Sequence, residues 1–171
     1  DMGRYDDANY IKRISNFIYE TSKKLSGHVL VLFNNNIRRN GVYEELEMLT
    51  RGSKIEVHTN KKSINILNDK NRQAIILGTK GFFEGIDVPG DGLSCVMLDK
   101  LPNHSPEYPI LRAVTTYQHK MYQDFNYPQL CIKVKQIYGR LVRSTFDYGY
   151  FIILDPGENQ YTIRNLQRDL G

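Results

Sequence analysis

Five short apolar runs punctuate the chain: His28 to Phe33, Lys54 to His58, Ala74 to Gly78, Leu93 to Leu98 and Tyr150 to Leu154. Turn-forming residues bound each run and helix-like stretches separate them, which is the order of an α/β fold. Within VLVLF, AIIL, SCVML and YFIIL nearly every position is apolar, instead of every second one. A strand covered on both faces reads that way, so the pattern predicts a central parallel sheet with helices on either side. Helices are predicted at about residues 6–25, 41–49, 106–124, 128–143 and 161–169. In the first of them Ile11, Ile14, Ile18 and Leu25 recur at a spacing suited to packing on a sheet, with Phe17 and Thr21 on adjoining faces. No repeat or low-complexity tract interrupts this order.

Composition narrows the class. The chain has 171 residues, 40% hydrophobic and 25% charged, a globular balance. At roughly 100 to 200 residues per domain it predicts a single domain over residues 1–171. No apolar run approaches the roughly 18 residues that cross a bilayer, and Asp1 to Asp7 lacks the basic and apolar regions of a signal peptide. A soluble, cytoplasmic chain is the expectation. Cys95 and Cys131 are too few and too far apart for a disulfide scaffold, a zinc site or an iron-sulfur cluster, and both are expected to be buried small hydrophobes. Met48, Met97 and Met121 are expected to fill core. His28, His58, His104 and His119 have no metal-ligand spacing, so no metal site is expected.

The net charge of +4 does not by itself establish nucleic-acid binding. Its distribution says more. Between Glu107 and Ser144 stand Arg112, Lys120, Lys133, Lys135, Arg140 and Arg143, against only Glu107 and Asp124. That stretch either meets an anion or forms a solvated helical face.

Two segments carry chemistry. The first, Thr79 to Gly90, follows the third apolar run, and ligands of parallel sheets bind beyond the carboxyl ends of strands. Gly81, Gly85, Gly90 and Gly92 suit a loop that touches phosphate, ribose or a nucleic-acid backbone, though a plain tight loop would also use glycine. The plain account leaves Glu84 and Asp87 unexplained, three apart beside Phe82 and Phe83, where carboxylates can accept from ribose hydroxyls or orient arginines. The second segment lies on the predicted helix over 128–143. At roughly 100° per residue, Leu130, Val134, Ile137 and Leu141 fall within an arc of about 60° and predict a core stripe. Lys133, Gln136, Arg140 and Arg143 fall within another arc of about 80°. Gly139 between the two stripes costs about 1 kcal/mol of helix propensity, which suggests a close approach by another segment or a ligand. Two arginines beside a glutamine can clamp a phosphate and supply positive charge as a phosphoryl group departs.

Taken together, Gly81 to Leu93 (GFFEGIDVPGDGL), Leu98 to Pro102 (LDKLP), Gln136 to Ser144 (QIYGRLVRS), Asp147-Tyr148-Gly149 and Ile153 to Asp155 resemble the second, C-terminal RecA-like lobe of the DinG/XPD-type superfamily-2 DNA helicases. The resemblance spans essentially the whole chain and implies a RecA-like three-layer α/β sandwich with a mostly parallel central sheet. On it, Gln136, Gly139, Arg140 and Arg143 match motif VI, with Arg140 and Arg143 facing the nucleotide and Arg143 as the arginine finger. Glu84, Gly85 and Asp87 match motif V, which links the nucleotide cleft to the DNA track. Phe33, Asn34 and Asn35 match motif IV, where relatives often carry hydroxyl residues that touch phosphate; amides donate there too. Thr79, Lys80 and Phe83 complete the implied DNA contacts, with Gly81 standing where serine is frequent and Phe83 where tryptophan is.

The chain contains no GxxxxGK[ST] phosphate loop and no DEAH-like acidic box, so it has no means of its own to hold Mg²⁺ and the β- and γ-phosphates. The resemblance therefore implies a fragment. Its partners would be a first RecA-like lobe on the same polypeptide, which holds ATP and Mg²⁺, and single-stranded DNA, with no membrane and no iron-sulfur cluster in this piece. The isolated fragment is expected to be inactive. A catalytically inert module binding nucleic acid or a protein partner is the alternative. A small-molecule nucleotide enzyme is disfavoured, because Asn34 to Asn40 contains no glycine for a phosphate-binding turn.

Overall fold

All five apolar runs become strands: β1 (His28–Leu32), β2 (Ile55–His58), β3 (Gln73–Gly78), β4 (Leu93–Leu98) and β5 (Tyr150–Ile153). The computed structural model describes residues 9–25, 27–79, 82, 92–102, 126–139, 141, 148–154 and 160–170. In it the strands form one parallel sheet in the order β2-β3-β1-β4-β5. Around the sheet stand α1 (Tyr10–Lys24), α2 (Asn36–Leu49), α3 (Tyr127–Tyr138) and α4 (Gln160–Leu170). This is the expected RecA-like α/β arrangement. The helix predicted over 106–124 lies outside the described residues. None of the described helices is long and apolar enough to cross a membrane.

The alternation of side chains along each strand divides the core in two. Leu30, Leu32, Ile76, Val96 and Leu98 face the layer that holds α3 and α4, where Leu130, Val134, Ile137, Leu141 and Leu166 are buried. The stripe read on the predicted helix is therefore core. Val29, Val31, Ile75, Leu77, Cys95 and Met97 face the other layer, against Tyr10, Ile14 and Ile18 of α1 and Val42 and Leu46 of α2. Each such aliphatic side chain stabilises the fold by about 1.5–3 kcal/mol relative to exposure. Cys95 is buried as expected, and burial pushes its thiol up to about 12. Cys131 is only half-buried.

Several boundaries differ from expectation for local reasons. Helix α2 begins at Asn36 rather than Gly41, because Asn35 takes an extended conformation and its side-chain oxygen accepts from the Ile37 N–H at 2.6 Å. Asn60 repeats the device with the Lys62 N–H at 3.0 Å and opens a 3₁₀ helix, Lys61–Asn68, that the periodicity does not announce. Helix α3 ends at Tyr138, and its last turn tightens as the Leu141 N–H donates to the Tyr138 carbonyl at 2.9 Å. Met48 lies on the outer face of α2, 52% exposed, so it does not fill core; Met97 does, and Met121 lies outside the described residues. Strand β5 lies at the sheet edge, which leaves Tyr150 61% exposed despite the apolar run.

Candidate nucleotide and nucleic-acid faces

Because every strand runs the same way, the sheet has a carboxyl edge and an amino edge. The carboxyl edge is laced by main-chain bonds that continue past the strands. The Phe33 N–H donates to the Gly78 carbonyl at 2.8 Å, the Asp99 N–H to Leu32 at 2.9 Å and the Leu154 N–H to Leu98 at 2.8 Å. Asn34, Asn35 and Thr79 therefore stand on one edge, together with Leu101 and Pro102 after β4. The Asn34 amide donates to the Leu101 carbonyl at 3.0 Å, which joins the turn after β1 to the turn after β4. Asn35 is exposed, and its side-chain oxygen serves the α2 cap. Thr79 is half-buried and accepts from the Phe82 N–H at 2.7 Å. Gly78 explains itself at the same point: a Cβ there would stand 2.5 Å from the Phe82 ring, which folds over the end of β3.

Beneath this edge lies a cluster built on the acid of the Leu98 to Pro102 segment, to which the motif reading gives no role. Asp99, fully buried, meets Arg38 with Nε 3.1 Å from Oδ2 and accepts from the Tyr10 hydroxyl on Oδ1 at 3.3 Å. The available signal is an acid placed directly after an apolar strand, where burial obliges it to find a partner.

The motif VI positions lie elsewhere. Helix α3 joins β4 to β5, and its end returns to the amino edge. A Cβ on Gly149 would come within 2.5 Å of Leu141 Cδ1 and 3.0 Å of the Ser94 carbonyl oxygen, so Leu141 packs at the start of β4 and β5. Gln136 is exposed near the end of α3, and Gly139 is exposed at its C-cap. The close approach expected at Gly139 is not found among the described residues. Among the described residues, a Cβ there would meet carbonyls of its own helix, the nearer being Lys135 at 3.2 Å, and Gly139 stands at the helix C-cap. Gly92 also has a packing reason rather than a ligand-driven one, since a Cβ would fall 1.8 Å from the Leu67 carbonyl oxygen. Lys80, Phe83, Glu84, Gly85, Asp87, Arg140 and Arg143 lie outside the described residues, as do Gly81 and Gly90.

The amino edge beside β1, β2 and β3 is closed upon itself. His28 is buried; its Nδ1 accepts from the Ala74 N–H at 3.1 Å, which leaves Nε2 to donate to the Asp69 carbonyl at 3.2 Å. Burial lowers its pKa. The Gln73 amide donates to the carbonyls of Leu25, at 2.6 Å, and Ser22, supplying partners to the free end of α1. Arg72 grips Glu56 through Nε and a terminal nitrogen at 2.7 and 2.5 Å, holding that carboxyl down at about 2. Among the described residues no three His, Cys, Asp or Glu side chains gather as a metal site would require.

Comparison with known proteins bears on this arrangement. Residues 18–169 match the family described as Helicase C-terminal domain. The chain is similar to the 3'-5' exonuclease DinG of Bacillus subtilis (strain 168), 32% identical over 157 residues, which covers 85% of this chain and 17% of that protein. It is also similar to the ATP-dependent DNA helicase YoaA of Haemophilus influenzae, 37% identical over 100 residues, covering 56% of this chain and 15% of that one. Among solved structures, an XPD helicase superposes with a TM-score of 0.70 at 20% identity, over 96% of this chain and 32% of the other. That last likeness concerns the fold. The chain spans less than one fifth of the curated relatives it matches.

Proposed function

This chain belongs to the helicase C-terminal domain family, as the second RecA-like lobe of the DinG/XPD-like superfamily-2 helicases, and on that premise we propose that it is half of an ATP-driven DNA motor. In this proposal residues 1–171 form one lobe of a longer, cytoplasmic DinG-type helicase or helicase-like nuclease. The lobe closes on ATP and Mg²⁺ held by a first lobe of the same polypeptide, and the described residues take no part in binding the metal.

The observation that carries the proposal is the separation of the two motif sets. Asn34, Asn35 and Thr79 stand at the carboxyl edge, and Gln136 with Gly139 toward the amino edge. Gly78 and Leu93, which flank the motif V positions Glu84, Gly85 and Asp87, end and begin strands at opposite edges. A motor needs that layout, with nucleotide on one side, DNA on the other and a connection between them. Arg143 with Arg140 would place positive charge beside the γ-phosphate as it transfers, and the Gln136 amide would donate a hydrogen bond there; Asn34, Asn35, Thr79, Lys80 and Phe83 would form part of the single-stranded track. Opening and closing of the cleft then moves the strand.

The test is ATP hydrolysis by the full-length protein with and without single-stranded DNA. Stimulation by DNA, absent from the isolated chain, is the expected result. A full-length protein that binds DNA without hydrolysing ATP would favour an inert binding module.

A further inference from the structure

The geometry points to Asp99, acting through Arg38 and Tyr10, as a positioning residue for the nucleic-acid rim. The inference rests on the proposal that the carboxyl edge carries single-stranded DNA. Asp99 is fully buried, where a carboxylate is costly unless paired, and an apolar side chain of similar size would fill the space without that cost. A close ion pair together with one hydrogen bond adds direction to the packing. Arg38 lies in the first turn of α2, the helix that Asn35 caps, so the 3.1 Å contact of its Nε with Asp99 Oδ2 fixes how that helix end sits over β4. Tyr10, the first residue of α1, reaches the other carboxylate oxygen at 3.3 Å and ties the neighbouring helix to the same point. The backbone of the same segment completes the fastening. Asp99 donates to Leu32 at 2.9 Å, and Leu101, two residues on, accepts from Asn34 at 3.0 Å.

The turn at Asn34 and Asn35 is thus held from below by Asp99 and from the side by Leu101. Loosening Asp99 should let the Asn35 cap and the first turn of α2 drift relative to Thr79 on the neighbouring strand end. DNA affinity would then suffer while the chemical step, assigned to the opposite edge, would not.

The test uses the full-length protein and its single-stranded-DNA-stimulated ATP hydrolysis. Asp99→Asn, close in shape but uncharged, is expected to raise the DNA concentration for half-maximal stimulation about fivefold or more. Its DNA-saturated kcat and its KM for ATP should stay within about twofold of wild type. Tyr10→Phe removes one hydrogen bond and keeps the ring, so it folds and shows a smaller rise, about twofold. It decides the matter if Asp99→Asn does not fold by circular dichroism. A purely structural role predicts a lower Tm with unchanged half-saturation. A direct contact of Arg38 with phosphate predicts that Asp99→Asn, by freeing the guanidinium, binds DNA as well as or better than wild type. Either result overturns the inference while the motor proposal stands. A wild-type protein that DNA does not stimulate overturns both.

Discussion

The amino ends of β1, β2 and β3 and the carboxyl ends of β1, β3 and β4 are both rich in polar side chains, and they use them differently. At the amino ends the groups are turned inward: His28 bridges two strand-flanking segments, Gln73 caps α1, and Arg72 holds Glu56. At the carboxyl ends a buried layer, Asp99 with Arg38 and Tyr10, underlies an exposed one that includes Asn35 and the 79% exposed Ile37. The first pattern closes a fold. The second supports exposed groups from beneath through a buried ion pair, which suits a binding rim built on strand ends.

The strongest way to break this comparison lies on the nucleotide side. If Arg143 stabilises the transferring phosphoryl group, Arg143→Ala in the full-length protein should lower DNA-stimulated turnover about 10³- to 10⁵-fold while changing ATP affinity only modestly. Arg143→Lys should not restore it, because an ammonium lacks the planar two-pronged contact. Steady-state rates and nucleotide titrations decide it, and near wild-type turnover in Arg143→Ala would withdraw the catalytic role.

Next in size is a purely structural effect. Gly92→Ala forces a methyl group against the Leu67 carbonyl, and overpacking against backbone should cost about 3 kcal/mol or more in urea denaturation with no ligand present. Unchanged stability would return Gly92 to the candidates for ligand approach.

Asn35 then separates capping from binding at the carboxyl edge. Asn35→Ala should lose about 1 kcal/mol of stability. Asn35→Asp should keep the cap, since both residues serve equally well there, yet weaken single-stranded DNA binding about fivefold by placing a negative charge near phosphate. Equal DNA affinity for Asn35→Asp and wild type would remove Asn35 from the track.

The smallest effect is a pH dependence at the amino edge. Burial holds the His28 pKa below 6.5, so the unfolded chain takes up the proton more readily. The stability contributed by neutral His28 is present in full above pH 6.5 and is lost as pH falls below that value. His28→Asn, whose oxygen can still accept from Ala74, should flatten this part of the profile of urea midpoints. A wild-type profile equally flat would contradict the buried neutral ring.

Much of this molecule was legible along the chain because its evidence is local. Unbroken apolar runs such as Val29 to Phe33 specify burial on both faces, and the spacing of Leu130, Val134, Ile137 and Leu141 specifies one buried side of a helix, whatever covers it. The motifs were legible for a similar reason, since each is a short string of residues. Tertiary structure alone decided the strand order, which puts β1 in the middle and leaves Tyr150 exposed at an edge. It alone brought Tyr10 to Asp99 across 89 positions of sequence and set Leu67 behind Gly92. Periodicity reports which side of an element is buried; it carries no information about the partner, because that contact forms only when distant elements close over one another and their side chains compete for the same space.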